Sequence, residues 1–387
     1  MPPWRVSKGM QELAATATLW AAWRAVRRKR GGPGVDGVTL ELFEAQADAQ
    51  LHELRQALLR RTYRLGELKR VAVAKRDGRT RRISIPNVRD RVVQQAVLHV
   101  WGPRFEPMFC DCNYGFRPGR SAHQAVQVIA RKLQDGARWI VEADVTDFFD
   151  SIDWGVLRPA LAAQIGDAQV LALMHQVVQS GALQTPLHDA GQGVLQGAGC
   201  SPLLANVYLT GFDRHMTAHG YDLVRYGDDF LLLHRTRRQA EAALADMRDY
   251  LENQLYLRLH PHKTGLRDVR RQAVEFLSFR FSRQGVHPSP RAVQRFRSRV
   301  QARVQTSPPR NLAVAIARLN PLIRGWGEYF KIGQVDRLFR ELDAWVAKQL
   351  GVSPETTPEL ASLVALHQRY LRRQTPPHHH QKRTRVR

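Results

Sequence analysis

Tyr226-Gly227-Asp228-Asp229 places two neighbouring carboxylates between apolar runs, Leu223-Val224-Arg225 before and Phe230-Leu231-Leu232-Leu233 after. The runs read as strands and Gly-Asp as their turn, which puts the acids at a hairpin tip. Adjacent carboxylates repel, and holding them together is costly unless cations neutralise them. A pair of divalent metals is one solution, and it also holds phosphates for an in-line displacement. Taken alone, the tetrapeptide reads equally well as a turn with a spare surface acid. A second acidic segment decides it.

That segment is Ala143-Asp144-Val145-Thr146-Asp147-Phe148-Phe149-Asp150-Ser151-Ile152-Asp153, at the end of the strand-like run Trp139-Ile140-Val141-Glu142-Ala143. A strand carrying one carboxylate, beside a hairpin carrying two, supplies oxygen ligands suited to a pair of Mg²⁺ ions. The same acids suit a helix start, where Asp147 and Asp150 cap and favour the dipole. Both readings hold: Asp144 serves catalysis, while Asp147, Asp150 and Asp153 are mostly structural.

The elements that must position these acids follow from composition and pattern. A chain of 387 residues has room for two or three domains. Its net charge of +24, largely arginine spread along the length, attracts polyanions and marks a nucleic-acid partner over a merely solubilising surface. Three cysteines outside any paired framework fit a reducing compartment. Cys110 and Cys112 are too tightly spaced for an ordinary zinc site and read as structural. No apolar run approaches the ~20 residues that span a bilayer. The N-terminus lacks a signal peptide's apolar core, so the expectation is a cytoplasmic protein with no membrane partner. A basic hairpin over residues 71–85 turns at Asp77-Gly78. Helix-period segments follow the acidic blocks from Ala292 onward, broken at Thr306-Ser307-Pro308-Pro309. Gly351 to Pro358 reads as a linker into one last helix, and the Pro/His/Arg-rich tail from Gln374 as disordered.

Several blocks then stand in a fixed order: Gly31-Gly32-Pro33-Gly34-Val35-Asp36-Gly37, Ile85 to Ala96, Gly115-Phe116-Arg117-Pro118-Gly119-Arg120-Ser121, Gln196 to Asn206, Leu259 to Thr264 and Phe276-Leu277-Ser278-Phe279. In this order, with the two acidic segments among them, the chain resembles reverse transcriptases of the group II intron lineage, from about Gly31 to about Leu350. Most specific is Gln196-Gly197-Ala198-Gly199-Cys200-Ser201-Pro202-Leu203-Leu204-Ala205-Asn206, similar to the family's QGxxxSPLLAN signature.

The resemblance implies an α+β right-hand polymerase with fingers, an antiparallel-sheet palm and a helical thumb. It implies the N-terminal extension and fingers over 1–134, the palm over 135–284, thumb or maturase-like helices over 285–350, and a linker, short helix and basic tail over 351–387. Its activity would be RNA-directed DNA synthesis: transfer of a nucleotide from a dNTP to a DNA or RNA primer on an RNA template, with two Mg²⁺ ions (Mn²⁺ an alternative). Asp144, Asp228 and Asp229 would be the catalytic acids and metal ligands, with the Val145 carbonyl added. Phe149 stands where the family carries an aromatic gate against the ribose 2′-OH, Phe148 being core. Lys75 and Arg81 match the triphosphate clamps, Gln196 and Gly197 the nucleotide pocket, and Lys263 a lysine near the leaving pyrophosphate. Arg324, Trp326 and Tyr329 combine charge and aromatic surface in a thumb helix, and core packing explains the two aromatics as well as stacking on nucleic acid does.

Some positions depart from the pattern. Gly227 replaces the alanine usual in the lineage and is expected to loosen the hairpin tip. Ser278 stands where glycine is common. The chain after Leu350 is too short, and too poor in Cys/His pairs, for the DNA-endonuclease module of many intron proteins. Three homes stay open: intron splicing and mobility with intron RNA as partner, spacer acquisition beside a CRISPR integrase, and another defence or repair role. A maturase that only binds RNA is a different class, and the intact Asp144, Asp228 and Asp229 argue against it.

Overall fold

The computed structural model describes residues 6–74, 80–179, 191–195, 197, 199–306, 311–353 and 357–374. Helices and antiparallel sheets divide between two compact units. The first combines Met1–Ser121 with Trp139–Leu266, the second Ala122–Arg138 with Arg267–Arg387.

In the first unit β1 (Lys69–Ala74) and β2 (Thr80–Ile85) pair antiparallel, with Val73 opposite Arg81. The Asp77-Gly78 turn between them lies outside the described residues. A second sheet holds β3 (Trp139–Ala143), β4 (Asp222–Tyr226) and β5 (Asp229–His234) in the order β4-β5-β3. Next to β3 runs β6 (Gly265–Asp268), where the chain leaves this unit. Side chains alternate across a strand, and Val141, Ala143, Leu223, Phe230 and Leu232 all fall on one face and in the main core. That face meets the helix Ser201–Ala218, which is buried on nearly every side. A helix apolar all round belongs inside a core. Phe212 on it stands 5.2 Å from the Phe230 ring. Each such buried ring contributes about 1.5–3 kcal/mol of transfer free energy.

The glycine-rich block near the N-terminus is fastened to the start of the helix Val88–Phe105. Asn87 Oδ1 accepts from the Val35 amide at 3.1 Å, and Arg91 donates to the Gly32 carbonyl at 2.7 Å. A Cβ on Gly34 would lie 2.1 Å from Asn87 Oδ1, so the close approach demands glycine there. Two sequence blocks far apart in the chain therefore form one surface.

In the second unit β7 (Val274–Phe276), β8 (Phe279–Ser282) and β9 (Gly285–Pro288) form a meander. Leu277 and Ser278 join the first two strands at φ +50 and +66, the pattern of a type I′ turn. Ser278 manages the position that favours glycine with help: Arg295 donates to its hydroxyl at 3.2 Å, and Tyr329 to the Leu277 carbonyl at 2.9 Å. Trp326 packs 4.7 Å from Phe296 and 4.6 Å from Phe330, so its ring serves the core, while Arg324 is exposed. The helix Asp336–Leu350 stops at Gly351, whose φ of +66 suits a C-terminal cap. The last helix among the described residues is Leu363–Gln374. Among the described residues no helix is long and apolar enough to cross a membrane.

Candidate active site

Strand register assembles the acids. Tyr226 faces Asp229 across β4 and β5, leaving Gly227 and Asp228 as a two-residue turn. Gly227 adopts φ +70, as when glycine leads a type II′ turn. Ala143 faces Phe230 across β3 and β5. One residue further, the register sets Asp144 opposite Asp229. Glu142, two residues before Asp144, shares that face.

The electrostatics follow from this crowding. Asp229 keeps contact with solvent, yet the protein around it weakens its hydration. That desolvation acts first, and the negative charges of Asp228, Asp144 and Glu142 add to it, so the carboxyl is pushed up to about 7. Lys263 supplies the opposite charge, its Nζ donating to Asp144 Oδ2 at 2.8 Å. Both partners are about half exposed, so the pair itself adds only ~0–1 kcal/mol. The backbone below is fixed more firmly: His260 donates to the Asp144 carbonyl and Thr146 to the Arg258 carbonyl, each at 2.8 Å. Val145 sits between them, opposite Leu259, and its own carbonyl takes no part in those two bonds. The oxygens of Asp144, Asp228 and Asp229 do not all lie within 4.8 Å of one another.

A buried polar network holds the turn from below. Arg225 and Asp213 are both fully buried. The guanidinium donates to both carboxylate oxygens, at 2.7 and 2.5 Å. Its remaining nitrogen donates to Asn206 Oδ1 at 3.1 Å and to the Gly227 carbonyl at 2.9 Å. Asn206 in turn donates to the Gly115 carbonyl at 2.9 Å. A Cβ on Gly115 would lie 2.3 Å from the Gly227 nitrogen. Three blocks of the sequence thus converge on one residue, Gly227. The expected loosening at Gly227 is not what this arrangement produces, because glycine relieves the positive φ while Arg225 pins the carbonyl.

Residues 73–281 match the model of the reverse transcriptase (RNA-dependent DNA polymerase) family. The chain belongs to the reverse transcriptases. Residues 293–352 also match the group II intron maturase-specific domain. Protein YkfC of Escherichia coli K12 is 30% identical over 309 residues, a stretch covering 69% of this chain and 81% of that protein. The group II intron-encoded protein LtrA of Lactococcus lactis is 32% identical over 185 residues, 47% of this chain and 31% of its own length. Among solved structures, a partial Cas6-RT-Cas1–Cas2 complex is similar at 22% identity and a TM-score of 0.38, covering 63% of this chain and 42% of that one.

Around the acids of this reverse transcriptase, Phe148 is buried and meets Phe149 edge-on at 5.4 Å. Phe149 is only half-buried. Asp153 caps the helix Trp154–Gln164, its side chain accepting from the Val156 amide at 3.2 Å. Gly197 has φ +95, and a Cβ there would lie 3.1 Å from Ile83 on β2, so this loop touches the basic hairpin. Gln196 and Lys75 lie outside the described residues, and Arg81 is described by its backbone alone. The cysteines are free, and burial pushes the thiols of Cys110 and Cys112 up and that of Cys200 up to about 12. Reading the chain alone missed Arg225, Asp213, Asn206 and Glu142 as parts of the site. The available signals were an arginine inside a strand of buried residues, and an acid two places before Asp144 on the same face.

Proposed function

We propose that this reverse transcriptase builds DNA on an RNA template at Asp144, Asp228 and Asp229, joining a dNTP to a DNA or RNA primer. The observation that carries the reading is the register of β3 and β5, which sets Asp144 opposite Asp229 beside the Asp228 turn. The raised proton affinity of Asp229 fits a cation site, since neighbouring acids make its charge costly until positive charge arrives. These three carboxylates, with the Val145 carbonyl, would hold two Mg²⁺ ions, and Mn²⁺ could replace them. When bound, such ions activate the primer 3′-hydroxyl and stabilise charge on the leaving pyrophosphate.

The remaining residues position and select. Lys263, already beside Asp144, carries a proton on Nζ that it can give to the pyrophosphate as it leaves. Phe149 bars a 2′-hydroxyl from the sugar pocket, while Gln196 and Gly197 line the base pair. Lys75 and Arg81 grip the triphosphate through charge-assisted bonds. Residues 1–134 serve as extension and fingers, 135–284 as palm and 285–350 as thumb, with 351–387 as an appended helix and tail in a cytoplasmic enzyme.

The test is extension of a DNA primer on an RNA template in Mg²⁺. Asp144→Asn and Asp228→Asn should each lower the rate by ~10³-fold or more with circular dichroism unchanged. Near wild-type rates in both variants would remove the site assignment. The maturase-specific match over 293–352 favours a second role, the binding of intron-type structured RNA. Asp228→Asn protein should then bind such RNA with wild-type affinity, and loss of binding in step with extension would count against the second role.

A further inference from the structure

A second cluster of chemically capable side chains lies on the far end of the helix Ser201–Ala218, apart from the carboxylates above. His215 and His219, one helical turn apart, meet Asp246 of the helix Arg237–Asp249. One ligand atom from each lies within 4.8 Å of the others. We propose that His215, His219 and Asp246 form a binding site for a single Zn²⁺ ion that clamps the two helices together.

The hydrogen bonds favour ligation. His219 Nδ1 stands 2.8 Å from the His215 carbonyl. A carbonyl has no proton to give, so Nδ1 carries the hydrogen and Nε2 keeps the lone pair that binds metal. A backbone carbonyl behind a histidine is the usual outer support of a zinc ligand. His215 Nε2 and Asp246 Oδ1 are 2.7 Å apart. Two ligands of one tetrahedral zinc stand about 3.3 Å apart, so the pair opens by less than 1 Å to admit it. Tyr221 neighbours Asp246, and its ring stacks on His219 with centroids 6.2 Å apart. Both helices are secured independently of any ion, the second by a Thr236/Gln239 capping box. Two imidazoles and one carboxylate select a borderline transition ion such as zinc, whereas the oxygen-only set of Asp144, Asp228 and Asp229 suits Mg²⁺.

The experiment uses the full chain with His378, His379 and His380 replaced by serine, in excess Mg²⁺ that occupies the oxygen-only site. Zinc is added alone and followed by calorimetry and thermal melting, with Co²⁺ absorption as the spectroscopic check. One equivalent should bind and raise Tm. His219→Ala, a change at an exposed side chain, and Asp246→Asn should each weaken binding by at least about 10-fold. No saturable equivalent, or wild-type affinity in both His219→Ala and Asp246→Asn, would overturn the site.

Discussion

Two adjacent phenylalanines carry different duties at the scale of single residues. Phe148 is buried in the core against Tyr208, whereas Phe149 keeps one side open. Phe148→Ala should therefore destabilise the protein by about 3–5 kcal/mol through the cavity it leaves. Phe149→Ala should cost less stability and admit ribonucleotides. Competing dNTP and rNTP incorporation checks this, and an unchanged ratio in Phe149→Ala would place the sugar gate elsewhere. Gly227 offers a second test. A Cβ there faces both a φ of +70 and the Phe116 ring at 3.0 Å. Gly227→Ala should lower stability by about 1–2 kcal/mol while leaving the acids in place. Chemical denaturation alongside primer extension measures both effects, and an unaltered midpoint would show that the turn relaxes freely.

Among the elements, the β4–β5 hairpin depends on the helix Ser201–Ala218 for its position. The dependence runs through Arg225, which links Asp213 and Asn206 on that helix to the Gly227 carbonyl. Removing one member of a fully buried ion pair strands the other charge, at a cost of about 3–5 kcal/mol. Arg225→Met alone should therefore be severely destabilised. Arg225→Met combined with Asp213→Leu should regain much of that stability, since apolar replacement of a buried pair is often neutral. If the network exists to hold the turn, kcat in the double variant stays low while the KM for dNTP changes little. Urea melts and steady-state extension separate the two quantities. Full recovery of kcat would make the network a packing device only.

For the molecule as a whole, charge sets how nucleic acid is held. Fifty-nine Lys and Arg against 35 Asp and Glu leave +24 at neutral pH. Phosphate contacts should then dominate affinity for an RNA–DNA primer-template. Each contact releases counterions and contributes a slope of roughly −0.7 to −0.9 in log K against log salt. Affinity should fall steeply from low to moderate salt and depend weakly on sequence. Fluorescence anisotropy over a salt series reads the slope, and a flat series would mean that base contacts carry the binding.

What could be read from the sequence was whatever depends on neighbours in the chain. Strand–turn–strand around Gly227-Asp228 and the stop at Gly351 follow from local chemistry and stand where that chemistry puts them, whereas the cap expected at Asp147 and Asp150 falls instead to Asp153, because Asp147 turns into the left-handed region and makes no side-chain cap bond. The ordered blocks were legible too, and so was the family, because the acids and glycines must recur at set spacings for the chemistry to work. Only the tertiary structure decided which residues meet. Register between β3 and β5 is set by pairing strands 87 positions apart at Ala143 and Phe230, wider than any local window, so the sequence could bring the Asp144 strand beside the hairpin but could not set Asp144 opposite Asp229 or put Glu142 on the same face. The same holds for Arg225: a lone cation in an apolar strand is an anomaly in sequence. Folding supplies Asp213 as its counter-charge and Gly227 as its purpose. Burial makes such partners obligatory, and burial is a property of the folded chain.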